Sequence, residues 1–198
     1  MISALVTDFY ELTMMQGYFL QHHNPRVVFD MFYRTNPFNG GYTIFTGLEE
    51  LVTILENFRF SEEDINYLRS LGKFQESFLE YLASYRFTGD LYAFDEGTPA
   101  FPQEPLIRVE TNMLDAQLIE SVLLNTINFQ TLIATKASRM KLATKSHGSI
   151  MEFGLRRAQG MDGALSASRA CYIGGADVTS NTLAGKEFGI PVAGTMAH

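Results

Sequence analysis

Three short apolar runs, Ile150–Gly154, Tyr172–Ala176 and Ile190–Gly194, start about twenty residues apart, which is the length of one strand-plus-helix unit. Between them, Asp162–Cys171, with Asp162 as cap, and Ser180–Phe188 carry helical patterns. This rhythm of strand, helix and parallel strand predicts the first units of a β/α barrel. The last unit has a strand at 190–194 and no helix after it, so the chain is expected to be the front part of a longer protein. Upstream the style differs. Phe9, Leu12, Met15 and Phe19 recur at helical spacing behind Asp8 and Glu11, an acceptor-then-Glu capping-box signature. Arg26–Tyr33 is a β-branched and aromatic run that ends at the turn residues Asn36-Pro37-Phe38-Asn39-Gly40-Gly41. Tyr42–Phe45 is a second short strand, and Gly47–Phe58 a helix. Ser61-Glu62-Glu63-Asp64 opens another through a capping box, and Phe74–Tyr85 is a third. Asp90–Phe94 and Leu106–Glu110 read as strands, and Asp115 to about Met140 as one long helix. The fold class is therefore α/β, with an N-terminal α+β domain over 1–112 and the incomplete beginning of a barrel over 113–198.

Composition narrows the function classes. Fifteen Lys and Arg against 22 Asp and Glu give a net charge of −7, the wrong sign for a nucleic-acid binder. No apolar run approaches the ~20 residues of a membrane span, and the N-terminus has no signal-peptide pattern, so a cytoplasmic protein is expected. One cysteine, Cys171, excludes an internal disulfide framework and a cysteine-built zinc site. Its apolar helical neighbours mark it as an inert buried thiol.

In a β/α barrel, functional residues lie just past the C-terminal ends of the strands. Those positions hold Arg156-Arg157, then Asp177, Thr179, Ser180 and Asn181, then Thr195 and His198. An arginine forks onto phosphate or carboxylate, and a helix opening near Ser180 offers free N–H groups to an anion. Each residue also has a plain structural role: the arginines as surface ion pairs, Gly174-Gly175 as tight packing, Asp177 as a helix start, Tyr10 as core. His22-His23 suit a helix C-terminus better than a metal. Residue types and spacing thus reach an anion-binding half-barrel behind an α+β domain, and no metal site is assigned.

Several stretches carry more. Thr7-Asp8-Phe9-Tyr10-Glu11-Leu12-Thr13-Met14, Phe45-Thr46-Gly47-Leu48-Glu49, Phe87-Thr88-Gly89-Asp90, Glu96-Gly97-Thr98 and Phe101-Pro102-Gln103-Glu104-Pro105-Leu106 follow one another in order. Glu152-Phe153-Gly154-Leu155-Arg156-Arg157-Ala158-Gln159, Asp162-Gly163-Ala164-Leu165-Ser166-Ala167-Ser168, Gly174-Gly175 to Ser180-Asn181, and Gly194-Thr195-Met196-Ala197-His198 complete the set. With them the chain resembles the N-terminal part of the nicotinate phosphoribosyltransferases, over essentially its whole length. The resemblance implies a type II phosphoribosyltransferase-like fold and an enzyme of NAD salvage. Such an enzyme joins nicotinate to phosphoribosyl pyrophosphate, with Mg²⁺ and coupled ATP hydrolysis, as a homodimer. It implies that His198 is phosphorylated by ATP and that Thr195 contacts nicotinate. By the same likeness, Tyr10 reaches the pyridine ring from the neighbouring subunit, Phe153 stacks on the other ring face and Arg156 holds phosphate or carboxylate. Asp177 matches an acid that contacts the ring amide in the related nicotinamide enzyme. Members of that family are more than twice this long. The alternatives are a nicotinamide or quinolinate phosphoribosyltransferase and a truncated, non-catalytic subunit. The isolated chain is expected to be inactive and aggregation-prone, because its last strand is left with an unpaired edge.

Overall fold

A computed structural model describes residues 2–145 and 147–196. The chain packs as two compact units that interleave in sequence. The first comprises Met1–Met31, Glu49–Ala93 and Ile107–Asn125, the second Phe32–Leu48, Phe94–Leu106 and Thr126–His198. The change of style expected at 112–113 falls inside the first unit.

The first unit is a small antiparallel sheet with helices. Strands β1 (Arg26–Met31), β5 (Ile107–Asn112) and β3 (Asp90–Ala93) lie in the order β1-β5-β3. The central strand alternates, with Ile107, Val109 and Thr111 inside, as period-2 patterning requires. Its exposed Arg108 sits opposite Asp30 in the ladder and forks onto that carboxylate at 2.8 and 3.0 Å. An exposed pair of this kind adds little stability, but the opposite charges agree with one register and oppose a slip. Helix α1 (Phe9–Leu20) turns Leu12 and Met15 inward, and Phe19 meets Phe78 and Tyr81 of α4 (Glu76–Ala83) at ring-centre distances of 5.6 and 5.1 Å. Helix α2 (Leu48–Glu56) buries Leu51, Ile54 and Leu55. Helix α3 (Glu62–Ser70) opens with the expected capping box. The Asp64 N–H donates to the Ser61 hydroxyl at 3.1 Å, and the Ser61 N–H to the Asp64 carboxylate at 2.8 Å.

The long helix expected from Asp115 is two helices, α5 (Met113–Leu118) and α6 (Glu120–Ala143). Ile119 alone stands between them. Asn112 caps α5 by accepting from the Asp115 N–H at 3.0 Å, and at the other end the Thr7 hydroxyl oxygen lies 3.3 Å from the Leu118 carbonyl oxygen. Glu11, fully buried, accepts from the Thr7 hydroxyl, from the Ser121 hydroxyl at 2.9 Å and from the Asp8 N–H at 3.2 Å. Burial raises its carboxyl above the ordinary glutamate value despite those donors.

In the second unit, β2 (Thr43–Ile44) pairs antiparallel with β4 (Pro99–Ala100), a strand where the sequence pattern suggests only a connection. The other edge of β2 is satisfied by a helix: the Ile44 N–H donates to the Thr135 hydroxyl at 2.9 Å and the Thr46 N–H to the Thr131 hydroxyl at 3.3 Å. The remainder alternates as expected. Strand β6 (Met151–Glu152) leads through a 3-10 turn (Leu155–Arg157) to α7 (Met161–Ile173), then β7 (Val178–Thr179) and α8 (Thr182–Phe188). Strands β6 and β7 are parallel, and Thr179 bridges in parallel to Val192.

Two expectations are corrected here. Asp162 is not the cap of α7 but lies in its first turn, behind Gly160 at φ 87°. Tyr172–Ala176 is not a strand: Tyr172 and Ile173 continue the helix, and the next strand begins at Val178. The helix stops at the glycine pair. Gly174 lies so near α6 that a Cβ there would stand 2.3 Å from the Ala134 carbonyl oxygen, and Gly175 adopts φ 105°, a conformation open to glycine. No helix among the described residues is long and apolar enough to cross a membrane.

Gly174→Ala therefore forces backbone atoms apart in a packed layer, and a loss of about 2–3 kcal/mol is expected, read from the urea midpoint. A change below about 0.5 kcal/mol would mean that α6 and α7 have room to separate.

Candidate active site at the strand ends

The parallel pairing sets the direction of the second unit. At one end of the strands the Asp177 N–H donates to the Ile150 carbonyl at 2.9 Å. At the other, C-terminal end the Ser180 N–H donates to the Glu152 carbonyl at 2.9 Å. The Ala193 N–H donates to the Thr179 carbonyl at 3.0 Å, so the segment that leads on to Thr195 leaves from the C-terminal end as well. On this rim Phe153 and Arg156 thus follow the end of β6 and Ser180 the end of β7, while Thr195 follows the single bridge at Val192, which is all that forms of the strand expected at 190–194. Phe153 is half-buried, and Arg156 is exposed in the 3-10 turn. Thr195 is exposed. The expected histidine of this rim, His198, lies outside the described residues.

Asp177 does not belong to this rim. Because β7 starts at Val178 rather than ending at Ala176, Asp177 stands at the N-terminal end of the strands. Lys141 holds it there with bonds of 2.8 and 2.9 Å, and it also accepts from the Ile150 N–H at 2.7 Å. The Lys141 ammonium and that N–H hold its carboxyl below the usual aspartate range. The start of α8 is also less open to an anion than its position suggests, since the Asn181 side chain accepts from the Ala184 N–H at 3.3 Å.

Tyr10 belongs to the first unit, on α1. Residue type alone places it in the core, but it is 45% exposed. Desolvation and the neighbouring Glu120 carboxylate push its phenol up to about 12, so it is a neutral hydrogen-bonding aromatic at any physiological pH. Cys171 is half-buried, and burial together with Glu152 raises its thiol to about 12, in keeping with an unreactive side chain.

Two further groups organise the second unit. Glu152, the last residue of β6, accepts from the Gly154 N–H, from the Ser168 hydroxyl at 2.9 Å and from the Thr179 hydroxyl at 2.6 Å. Asn181 donates to both hydroxyl oxygens, at 3.2 Å to Ser168 through its side chain and at 3.0 Å to Thr179 through its backbone N–H. Glu96 lies in the loop before β4. It takes the Gly47 and Leu48 N–H groups at 2.5 and 3.0 Å and receives the Arg169 fork at 2.9 and 2.7 Å. Both side chains are largely buried, at 16% and 11% exposure. Burial alone would raise the Glu96 carboxyl, but Arg169 and the two N–H donors outweigh it and hold the group below its ordinary 4.5. In sequence these residues are single polar letters inside apolar stretches. The signal that marks them is an acid at the end of an apolar strand, facing small hydroxyl residues one unit later.

Residues 5–128 match the model of the nicotinate phosphoribosyltransferase (NAPRTase) N-terminal domain. The chain belongs to the nicotinate phosphoribosyltransferase family. It is 46% identical to the Bacillus subtilis nicotinate phosphoribosyltransferase over 196 residues, 98% of this chain and 40% of that protein. It is 44% identical to a Mycobacterium tuberculosis nicotinate phosphoribosyltransferase over 197 residues, all of this chain and 42% of that protein. The crystal structure of human nicotinic acid phosphoribosyltransferase superimposes with a TM-score of 0.90 at 39% identity, over 97% of this chain and 39% of that one. A nicotinate-nucleotide pyrophosphorylase from Pyrococcus furiosus follows with a TM-score of 0.79 at 26% identity, over 98% of this chain and 42% of that one. The chain therefore spans about two fifths of the length of these relatives, and its α/β architecture is that of their family.

Arg169→Met would leave the Glu96 carboxylate buried without its cation, at a cost of about 3–5 kcal/mol near neutral pH. The sign with pH follows from linkage. A carboxyl held low contributes stability above its ordinary value and loses it as pH falls through the folded value. The wild type should therefore weaken in acid, and its advantage over Arg169→Met should shrink below about pH 4.5. A gap that stays constant down to pH 3 would show that the pair carries no charge-dependent stability.

Proposed function

We propose that the full-length protein transfers a phosphoribosyl group from phosphoribosyl pyrophosphate to nicotinate, forming nicotinate mononucleotide and pyrophosphate, as a cytoplasmic homodimer of NAD salvage. What supports this reading is 44–46% identity to nicotinate phosphoribosyltransferases across this chain, joined to one rim that carries an aromatic, an arginine and a threonine. Phe153 offers a ring face to the pyridine, and the phenol of Tyr10, contributed by the neighbouring subunit, offers the other. Thr195 and the Arg156 guanidinium hold the carboxylate and phosphate groups. A ring fixed between two aromatics presents its nitrogen lone pair to the ribose anomeric carbon. The C–N bond forms as the bond to pyrophosphate breaks, and the departing oxygens keep the electron pair.

His198 is assigned the ATP-dependent part. An imidazole nitrogen takes the γ-phosphoryl group, ADP leaves, and hydrolysis of the phosphoimidazole returns the histidine. Mg²⁺ would pair with the phosphate oxygens of the substrates and offset their charge. The case for a nicotinamide substrate rested on Asp177, which is engaged by Lys141 at the opposite strand end.

In the full-length protein, nicotinate and phosphoribosyl pyrophosphate should yield nicotinate mononucleotide by chromatography, with nicotinamide and quinolinate as poor substrates. No product from nicotinate, or faster turnover of another base, would overturn the reading. Arg156→Ala should lower kcat/KM by about 10- to 150-fold, the equivalent of a lost charge-assisted bond of about 1.5–3 kcal/mol. His198→Ala should abolish stimulation by ATP and leave slow basal transfer. Stimulation at the wild-type level would remove His198 from the mechanism.

A further inference from the structure

The Glu152 carboxylate stands at the rim, beside the residues assigned to anionic substrates, where a negative charge is electrostatically unhelpful. What it does with that charge is visible. One oxygen, Oε1, accepts from the Gly154 N–H, in the segment between Phe153 and Arg156. The other, Oε2, accepts from the hydroxyl of Thr179 on β7 and lies 2.9 Å from the hydroxyl of Ser168 on α7, whose proton it shares with the Ala164 carbonyl, also at 2.9 Å. Both hydroxyl residues are buried, at 1% exposure. The Thr179 oxygen already receives the Asn181 N–H, which leaves its proton for Glu152. The loop is therefore tied to the body of the unit through one acceptor-only group with donors on both sides. A neutral amide of the same shape can serve one side but not both, because its NH₂ would face a donor.

We propose that Glu152 is a positioning residue for substrate. Its carboxylate fixes the Phe153–Arg157 segment against the parallel strands, so that the Phe153 ring and the Arg156 guanidinium meet the substrate in one arrangement. The inference deepens the phosphoribosyltransferase reading and rests on it for the identity of the substrate. It separates two roles within one network. The bond to Gly154 orders the rim, whereas the bonds to Ser168 and Thr179 join α7 and β7.

The pair Glu152→Gln and Ser168→Ala tests this in the full-length protein. In Glu152→Gln the amide oxygen best stays with the two hydroxyls, so the NH₂ confronts the Gly154 N–H and the segment is released. Its kcat/KM should fall about 10- to 100-fold, with raised KM for nicotinate and for phosphoribosyl pyrophosphate, while Tm stays within about 3 °C of the wild type. Ser168→Ala removes a buried hydroxyl but leaves the Glu152–Gly154 bond, so Tm should fall while kcat/KM stays within about twofold. Trypsin supplies a readout free of activity, since Arg156 and Arg157 are both exposed in the segment. Cleavage after them should be about tenfold faster in Glu152→Gln than in the wild type or Ser168→Ala. Wild-type kcat/KM or wild-type cleavage in Glu152→Gln overturns the proposal, as does a Ser168→Ala variant that loses kcat/KM equally. Wild-type enzyme that makes no product from nicotinate refutes the substrate reading instead, and the cleavage rates then decide the role of Glu152 alone.

Discussion

The second unit depends on a single carboxylate with two jobs. Glu96 accepts the two N–H groups at the entry to α2 on Oε1 and, across both oxygens, the guanidinium fork of Arg169 from the middle of α7. Neither job is tolerable alone in a site this dry. A buried carboxylate needs a cation, and a buried arginine needs an acceptor with fork geometry. The loop that carries Glu96 also supplies Thr98, whose carbonyl accepts from the Phe45 N–H, and Pro99-Ala100, which form β4. The short strands β2 and β4 are held less by their own ladder than by the groups around them. Thr131 and Thr135 of α6 serve one edge of β2, and the Glu96 loop serves the other. Two residues of strand cannot order themselves, and polar side chains from helices make up the difference.

Order of this kind explains which parts of the fold were legible in the amino-acid sequence. Helices with caps and apolar faces were. The capping box at Ser61 and the inward Leu12 and Met15 of α1 follow from local chemistry that tertiary contacts do not override. The parallel rhythm of the last fifty residues was legible as well, because its period comes from the length of a strand-helix unit. The exact phase was not. Tyr172-Ile173 followed by two glycines suits a strand and its turn as well as the last turn of a helix, and the approach of Gly174 to Ala134 decides for the helix. Six residues separate the two placements of that strand, and they carry Asp177 from one end of the sheet to the other. The break between α5 and α6 was hidden for the same reason: Thr7, which lies against the last carbonyl of α5, is more than a hundred residues away in sequence. The candidate site was legible where a motif names a position relative to a strand end, as for Phe153, Arg156 and Thr195. Glu152 was not, since its meaning lies in three donors drawn from separate elements.

These features give the family likeness a physical content. The segment of this chain that matches the human enzyme at a TM-score of 0.90 contains a rim built from backbone direction alone. Parallel strands end side by side, and whatever follows each strand is delivered to the same face. The sequence on that face, Phe-Gly-Leu-Arg-Arg after β6 and Gly-Thr-Met after the Val192 bridge, carries an aromatic ring, two guanidinium groups and a hydroxyl.

The interleaving of the two units has a consequence for biosynthesis. Strand β1 is made early, but its neighbour β5 is drawn from residues 107–112, and the stretch between them alternates between the units. The first unit cannot close until synthesis has passed Asn125, and by then Phe32–Leu48 and Phe94–Leu106 have emerged without the rest of their own unit. Long-range pairing of this sort slows folding and leaves edges unmatched while the chain grows. The nascent protein is thus expected to remain unsettled on the ribosome through most of its first hundred residues and to acquire its two cores close together in time. A cut at any one position between Phe32 and Ile107 would leave neither piece with a complete core.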